Sequence, residues 1–361
     1  MKVLVLAQSY PDNNGCVELN YIHTRNMYYR DSGIDVTVLN FKANSCYKKD
    51  DIEVITLDNY RVKKEKYDLL IIHAANIRNH YRFLKEYGDD FPRFLFFYHG
   101  HEVMRINHDY AKPYAYMKEN CFRYVMQDIY DCYKLSVWKK YIPTVLHKSH
   151  FIFVSKWMRD TFVRNIGIPV EKLQGKSSIT YNSIGKDFET LQYDSSCNKE
   201  YDFVTVRANL DGSKYAIDIV NRLAMNTPSA KFLVIGKGEF FKHYKKADNL
   251  TWMDTTMNHS EIVQVLNNSR FALMPTRTDA QGLMMCEMAA FGIPVITSDI
   301  PVCHEVFDGF SNAFYISNDS TTESLSNFLG KECVSIKDDR YYKAKTIDHE
   351  LEVIRLSVGE S

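Results

Sequence analysis

Residues 276–297 read Thr-Arg-Thr-Asp-Ala-Gln-Gly-Leu-Met-Met-Cys-Glu-Met-Ala-Ala-Phe-Gly-Ile-Pro-Val-Ile-Thr and carry the most chemically loaded spacing in the chain. Leu283–Phe291 is apolar on every side except for Glu287. A helix that is hydrophobic all round is a buried helix, and a buried carboxylate is costly unless something hydrogen-bonds it. Two partners satisfy that demand: an internal arginine or backbone amide, or the hydroxyls of a ligand. Asp279 precedes Glu287 by eight positions, in the loop before the helix. Gly282 and Leu283 stand at the helix N-terminus, where free amides and the helix dipole favour an anion such as phosphate.

Two further groups sit where strands should end. Arg207 follows the apolar run Phe203–Val206, and Lys214 opens the next helical stretch. Both are placed to face a strand-end crevice, or to be ordinary surface charge. His99 closes the aromatic run Phe94–Tyr98 in a His-Gly-His sequence, with His101 and Glu102 as second choices. Gly236-Lys237-Gly238 follows a strand in the manner of a dinucleotide fingerprint. Phe241 holds the third-glycine position, however, where helix–strand packing needs a small residue. Nicotinamide binding is therefore not expected.

These residues need a frame, and the hydrophobic pattern supplies one. Short apolar runs at 2–6, 35–39, 53–56, 68–73, 93–98 and 151–154 alternate with helical stretches, the first over 17–31 after a polar loop containing Gly15. After the polar stretch 194–199 the rhythm restarts. Strands are expected at 203–206, 231–235, 250–253, 271–274 and 295–297, with helices over 213–226, from Ser260 under an Asn258 cap, and from Gly282. Strands alternating with helices build parallel βαβ units. Such sheets bind ligands outside their strand C-termini.

Composition narrows the function. The chain has 361 residues, with 45 Lys+Arg balancing 45 Asp+Glu. A nucleic-acid-binding protein would carry a basic surplus. The eight cysteines are spread singly without a Cys-x-x-Cys pair, which fits a reducing compartment and no zinc site. No apolar stretch approaches the roughly 18 residues of a membrane span. The neutrality is a cancellation. Residues 134–164 hold seven Lys/Arg against Asp160 alone, whereas residues 299–330 hold five acids and no Lys or Arg. With Trp138, Tyr141, Phe151 and Trp157 interleaved, the basic stretch suits anionic headgroups, or a solvated helix face over core aromatics.

The ordered set of markers resembles retaining GT-B glycosyltransferases of the group 1 (GT4) family. Asp279, seven residues, Glu287 and the following Ala-Ala-Phe-Gly-Ile-Pro-Val-Ile-Thr-Ser resemble its EX7E segment. Met1–Leu6 with the Gly15 loop is similar to its N-terminal strand and acceptor loop, and Tyr98–His101 to its His-bearing loop. Phe151–Ser155, Tyr181-Asn182 and Val206-Arg207 with Lys214 match later markers in order. Asp279 is one methylene shorter than the usual Glu, Ala280-Gln281 replace a Gly-aromatic pair, and Ser183 and Asp254 replace glycines.

The resemblance implies two Rossmann-like α/β domains with parallel sheets facing a central cleft: 1–186 for the acceptor and 187–337 for the donor. A helix at about 338–361 would pack back on the first domain. It implies hexose transfer from a UDP- or GDP-sugar to a glycan, lipid-linked or protein acceptor, with retention and without a metal or other cofactor. Glu287 would hold the ribose, Asp279 a sugar hydroxyl, and the Gly282 and Leu283 amides the phosphates. Arg207 and Lys214 would neutralise the leaving diphosphate, His99 would bond the donor sugar, and the Gly236 turn would lie beside the nucleotide. The expected location is the cytoplasm, with peripheral contact with an anionic membrane face. The alternative is an accessory subunit of the same fold that binds without turnover; an epimerase matches less well.

Overall fold

A computed structural model describes residues 1–13, 18–117 and 121–359. Gly15 lies outside them. The chain forms two compact units. The first holds residues 1–105, 128–181 and 347–361, and the second holds 106–127 and 182–346. Sequence reading puts the boundary after residue 186 and leaves 106–127 in the first domain. The structure groups that segment with the second, through hydrogen bonds and ring contacts described below.

The first unit is built on an eight-stranded sheet. Its strands are β1 (Lys2–Ala7), β2 (Asp35–Asn40), β3 (Tyr47–Lys49), β4 (Ile52–Ile55), β5 (Leu69–His73), β6 (Phe94–Tyr98), β7 (Ser149–Phe153) and β8 (Ser177–Ile179). The order is β3-β4-β2-β1-β5-β6-β7-β8, parallel throughout except for the antiparallel edge pair β3–β4. Continuous apolar runs such as Leu69–Ile72 are what a parallel sheet covered on both faces requires. The C-terminal helix Lys343–Val358 begins five residues later than the sequence suggests. Its Ile347, Leu351, Val353 and Ile354 join Val3, Val5, Ile22 and Ile71 in one core cluster.

The second unit carries six parallel strands: β9 (Tyr201–Asn209), β10 (Phe232–Lys237), β11 (Leu250–Met253), β12 (Ser269–Met274), β13 (Val295–Ser298) and β14 (Ala313–Ile316). Their order is β11-β10-β9-β12-β13-β14. The strand order reverses between β9 and β12, which is the topological switch point of such sheets. The helix expected over 213–226 is split. Ser213–Tyr215 forms a 3-10 turn, Ala216 turns left-handed at φ 54°, and the α-helix proper is Ile217–Asn226. Asn258 caps the next helix as expected, accepting from the Glu261 amide while Glu261 accepts from the Asn258 amide.

The basic, aromatic stretch 134–164 is corrected in part. Lys134 is buried, and its ammonium donates to Asp131 at 2.8 Å and to the carbonyls of His101 and Met104 at 2.9 and 2.8 Å. Trp138, Tyr141 and Phe151 are core residues. Lys139, Lys140, Lys156 and Arg164 remain exposed. Among the described residues, no helix is long and apolar enough to cross a membrane.

Candidate functional site

In the second unit the switch point is lined by polar groups. Arg207, near the C-terminal end of β9, is 6% exposed. Its Nη2 donates to the Pro275 carbonyl just past β12 at 2.8 Å, while its Nε is buried without a partner among the described residues. Burial pulls its pKa below the ordinary arginine value, opposed in part by the negative charge of Asp279. A guanidinium with an unused donor, deprived of water, is an expensive group to keep.

Glycine geometry sets its position. Gly236 sits at a register shift between β10 and β9, with φ 154°. A Cβ there would overlap the Arg207 carbonyl oxygen. The first glycine of Gly-Lys-Gly thus lets two backbones approach and fixes Arg207. Gly238 faces the Asp211 carboxylate, which a Cβ would meet at 3.0 Å.

Lys214 lies in the 3-10 turn after β9, and its carbonyl accepts from the Thr276 hydroxyl at 3.0 Å and the Arg277 amide at 2.8 Å. Arg277 also donates to the Ser213 carbonyl and forms a two-point pair with Asp218 at 2.8 and 2.6 Å. The loop after β12 is thereby tied to the loop after β9. Among the described residues, the Lys214 ammonium faces only rings, those of Tyr215 at 4.7 Å and Tyr110 at 5.7 Å.

Asp279 accepts the Ala280 amide at 2.8 Å. Gly282, left-handed at φ 74°, introduces the helix Leu283–Phe291 without a side-chain cap, leaving the first amides of that helix open. Leu283 is 39% exposed at that end, whereas Met285–Phe291 is buried. Glu287 is 3% exposed, and among the described residues its one hydrogen-bond donor is the Gly185 amide at 3.2 Å. Burial raises its pKa to about 7, with the Gly185 bond pulling the other way. His259 Nε2 stands 3.8 Å from the same oxygen.

Gly185 and the pairing of Gln281 with Asn182 have no counterpart among the expectations from sequence. Gly185 has no room for a Cβ against the His259 ring, so only glycine brings that amide to Glu287. Gln281 is buried and receives both the backbone and side-chain N–H of Asn182, at 2.7 and 2.8 Å. It clamps the segment carrying Gly185. An asparagine–glutamine pair separated by 99 positions has no periodic or motif signature.

The first unit has its own polar strand ends. His99, just past β6, is half-buried, and its Nε2 meets Nδ1 of fully buried His73 at 3.2 Å. Glu102 accepts the His99 and Gly100 amides at 2.8 and 2.6 Å. Burial holds both imidazoles well below their ordinary pKa, helped by the nearby Arg25 cation. Both rings are neutral at physiological pH. His73 Nε2 is buried without a partner among the described residues. An orphaned lone pair costs less than an orphaned N–H, so the pattern assigns the His73 proton to Nδ1, donated to His99. His99 then carries its own proton on Nδ1. The sequence marks His73 only as the end of the 68–73 strand. Gly15 cannot be placed. Among the described residues, no cluster of three or more His, Cys, Asp or Glu is arranged to hold a metal ion.

Residues 203–329, which include Arg207, Lys214, Gly236, Asp279, Gly282, Leu283 and Glu287, match the family model for glycosyl transferases group 1. That region thus resembles a group 1 glycosyltransferase domain, and the chain has the GT-B fold. The O-antigen biosynthesis glycosyltransferase WclY of Escherichia coli is 28% identical over 245 residues, 62% of this chain and 67% of that one. Among solved structures, sucrose-phosphate synthase from Thermosynechococcus elongatus aligns over 100% of both chains with a TM-score of 0.72 at 12% identity. Anabaena HepE, solved with UDP and glucose, aligns over 98% of this chain and 94% of its own with a TM-score of 0.57 at 14% identity. At these identities the structures speak for the fold. This glycosyltransferase assignment agrees with the resemblance read from the ordered markers.

Proposed function

We propose that this glycosyltransferase moves a hexose from a UDP- or GDP-sugar to a glycan, lipid-linked or protein acceptor, with retention and without a metal ion. The carrying observation is Arg207: a buried guanidinium with a spare donor, at the switch point of a nucleotide-binding type of sheet. A diphosphate supplies the anion that this site lacks. Arg207, Lys214 and the amides at Gly282–Leu283 would take the charge that builds on the leaving diphosphate. Glu287 would accept the ribose hydroxyls, and Asp279 a hydroxyl of the sugar. His99 Nδ1–H would donate to a sugar hydroxyl.

Retention follows if the acceptor attacks from the leaving group's face. The glycosidic C–O bond to phosphate breaks as the new C–O bond forms, and a phosphate oxygen takes the acceptor hydroxyl proton. No protein base is then needed. The part WclY plays in O-antigen biosynthesis supports a bacterial surface glycan as the product class, and HepE, solved with UDP, supports UDP as the carrier. The exposed Lys139, Lys140, Lys156 and Arg164 support a cytoplasmic enzyme in peripheral contact with anionic headgroups, which salt-sensitive co-sedimentation with vesicles tests.

The direct test incubates a panel of nucleotide-sugars with the protein, with and without a chelator, and measures released nucleotide. Chelator-resistant release from one donor, lost in Glu287→Ala, is expected. Neither binding nor release across the panel would favour the accessory-subunit reading. Release that requires a divalent ion would overturn the metal-free part alone.

A further inference from the structure

The segment 106–117 is strapped onto the second unit. Tyr116 Oη donates to Asp211 at 2.5 Å, and Tyr114 Oη donates to Asp218 at 2.9 Å. The Ser213 hydroxyl donates to the Ala111 carbonyl at 3.1 Å, and the Thr278 hydroxyl to the Asp109 carbonyl at 3.1 Å. The Tyr116 ring stacks on His243, with centroids 4.3 Å apart. Between this strap and the loop after β9 lies a cavity of about 820 Å³.

Lys112, Arg123 and Lys214 line that cavity with Tyr110, Tyr116 and Asp211. The Asp211 carboxylate is engaged by Tyr116 and by the Glu239 amide at 2.8 Å. Among the described residues, three cations therefore line the cavity with one carboxylate already in use, and neither Lys112 nor Arg123 has a hydrogen-bond or ion-pair partner. A cavity of several hundred Å³ holds a whole small molecule rather than a lone ion. Tyrosine faces on its wall suit the flat apolar face of a sugar or base. Lys112 and Arg123 lie outside the 203–329 region that the family model covers.

We propose that this cavity binds a diphosphate-bearing ligand, with Lys112 and Arg123 as its added cations. The proposal extends the donor-site reading, since Lys214 borders both. The diphosphate comes either from the nucleotide-sugar or from a lipid-diphosphate acceptor. Two charges brought near a diphosphate in a partly enclosed site strengthen its binding by charge-assisted hydrogen bonds.

The test titrates the full chain calorimetrically with inorganic diphosphate, UDP and geranyl diphosphate. It compares wild type, Lys112→Glu/Arg123→Glu, and the charge-keeping Lys112→Arg/Arg123→Lys, after confirming equal melting temperatures. The charge-reversed protein should bind inorganic diphosphate at least about tenfold more weakly, and the charge-keeping variant should restore binding. Weakening shared with UDP names the donor as the source, and weakening shared with geranyl diphosphate names the acceptor. Inorganic diphosphate binding unchanged by charge reversal would overturn the proposal. Turnover does not enter this measurement, so a failed nucleotide-sugar panel would fell the functional reading and leave the cavity result standing.

Discussion

Two buried arginines, one in each unit, show how differently the same side chain can be housed. Arg25, 2% exposed, donates from Nε to Glu350 at 3.1 Å, and the Tyr29 hydroxyl bonds the same carboxylate. Burial alone would lower its pKa, but the Glu350 charge and hydrogen bond outweigh burial and raise it. Arg207 is almost as buried, yet it holds one backbone carbonyl and a spare Nε, and its pKa falls. The first arginine is complete within its unit. The second keeps an unused donor, which on the proposed function the donor diphosphate would engage. Burial without a partner therefore singles out a candidate ligand site better than burial or charge does alone.

The contrast can be broken at either arginine. Arg25→Met would strand the Glu350 carboxylate in the core, so a loss of about 3–5 kcal/mol is expected in denaturant unfolding. Arg207→Met leaves no hydrogen-bonded carboxylate behind, only the Pro275 carbonyl. Its stability should match or exceed wild type, while nucleotide release should fall on the order of 100-fold or more. Equal destabilisation by both would erase the distinction.

Glu287 sharpens the same point through pH. Its folded pKa of about 7 lies above the ordinary 4.5, so the neutral form is favoured by folding. That contribution is fully present below pH 4.5 and is lost as pH rises through about 7, amounting to about 3 kcal/mol. Glu287→Gln should remove this dependence from urea titrations run between pH 5 and 8. Donor binding should run the opposite way in wild type, tightening toward pH 8 as the carboxylate ionises to accept ribose hydroxyls, and staying flat in the glutamine variant. The smallest effect is expected in the first unit. His73→Phe deprives His99 of its orienting donor and should lower kcat about tenfold with little change in KM, with His73→Asn recovering part of it. A kcat unchanged by His73→Phe would return that residue to a purely structural role.

Much of this was legible in the sequence because it is local. Apolar runs with turn punctuation gave eleven strands, and Leu250–Met253 is observed with the expected bounds. Glu287 stood out because one carboxylate interrupts an apolar helix. The three unforeseen strands, β3, β8 and β14, are short edge strands of three or four residues, with too little pattern to read. The basic patch was overread because charge counts do not show direction. Lys134 points inward to Asp131 one turn earlier on the same helix. Long-range pairings were invisible for the opposite reason: Gln281 with Asn182, Arg25 with Glu350 and His73 with His99 acquire meaning only through the fold.

On the proposed function the crevice at Arg207 takes the diphosphate of a nucleotide-sugar. Calorimetric titration of wild type and Arg207→Met with UDP and GDP addresses it directly. Binding of one nucleotide by wild type, weakened at least about tenfold in the variant at unchanged thermal stability, is the predicted result. Equal affinity of the two proteins for that nucleotide would contradict the account.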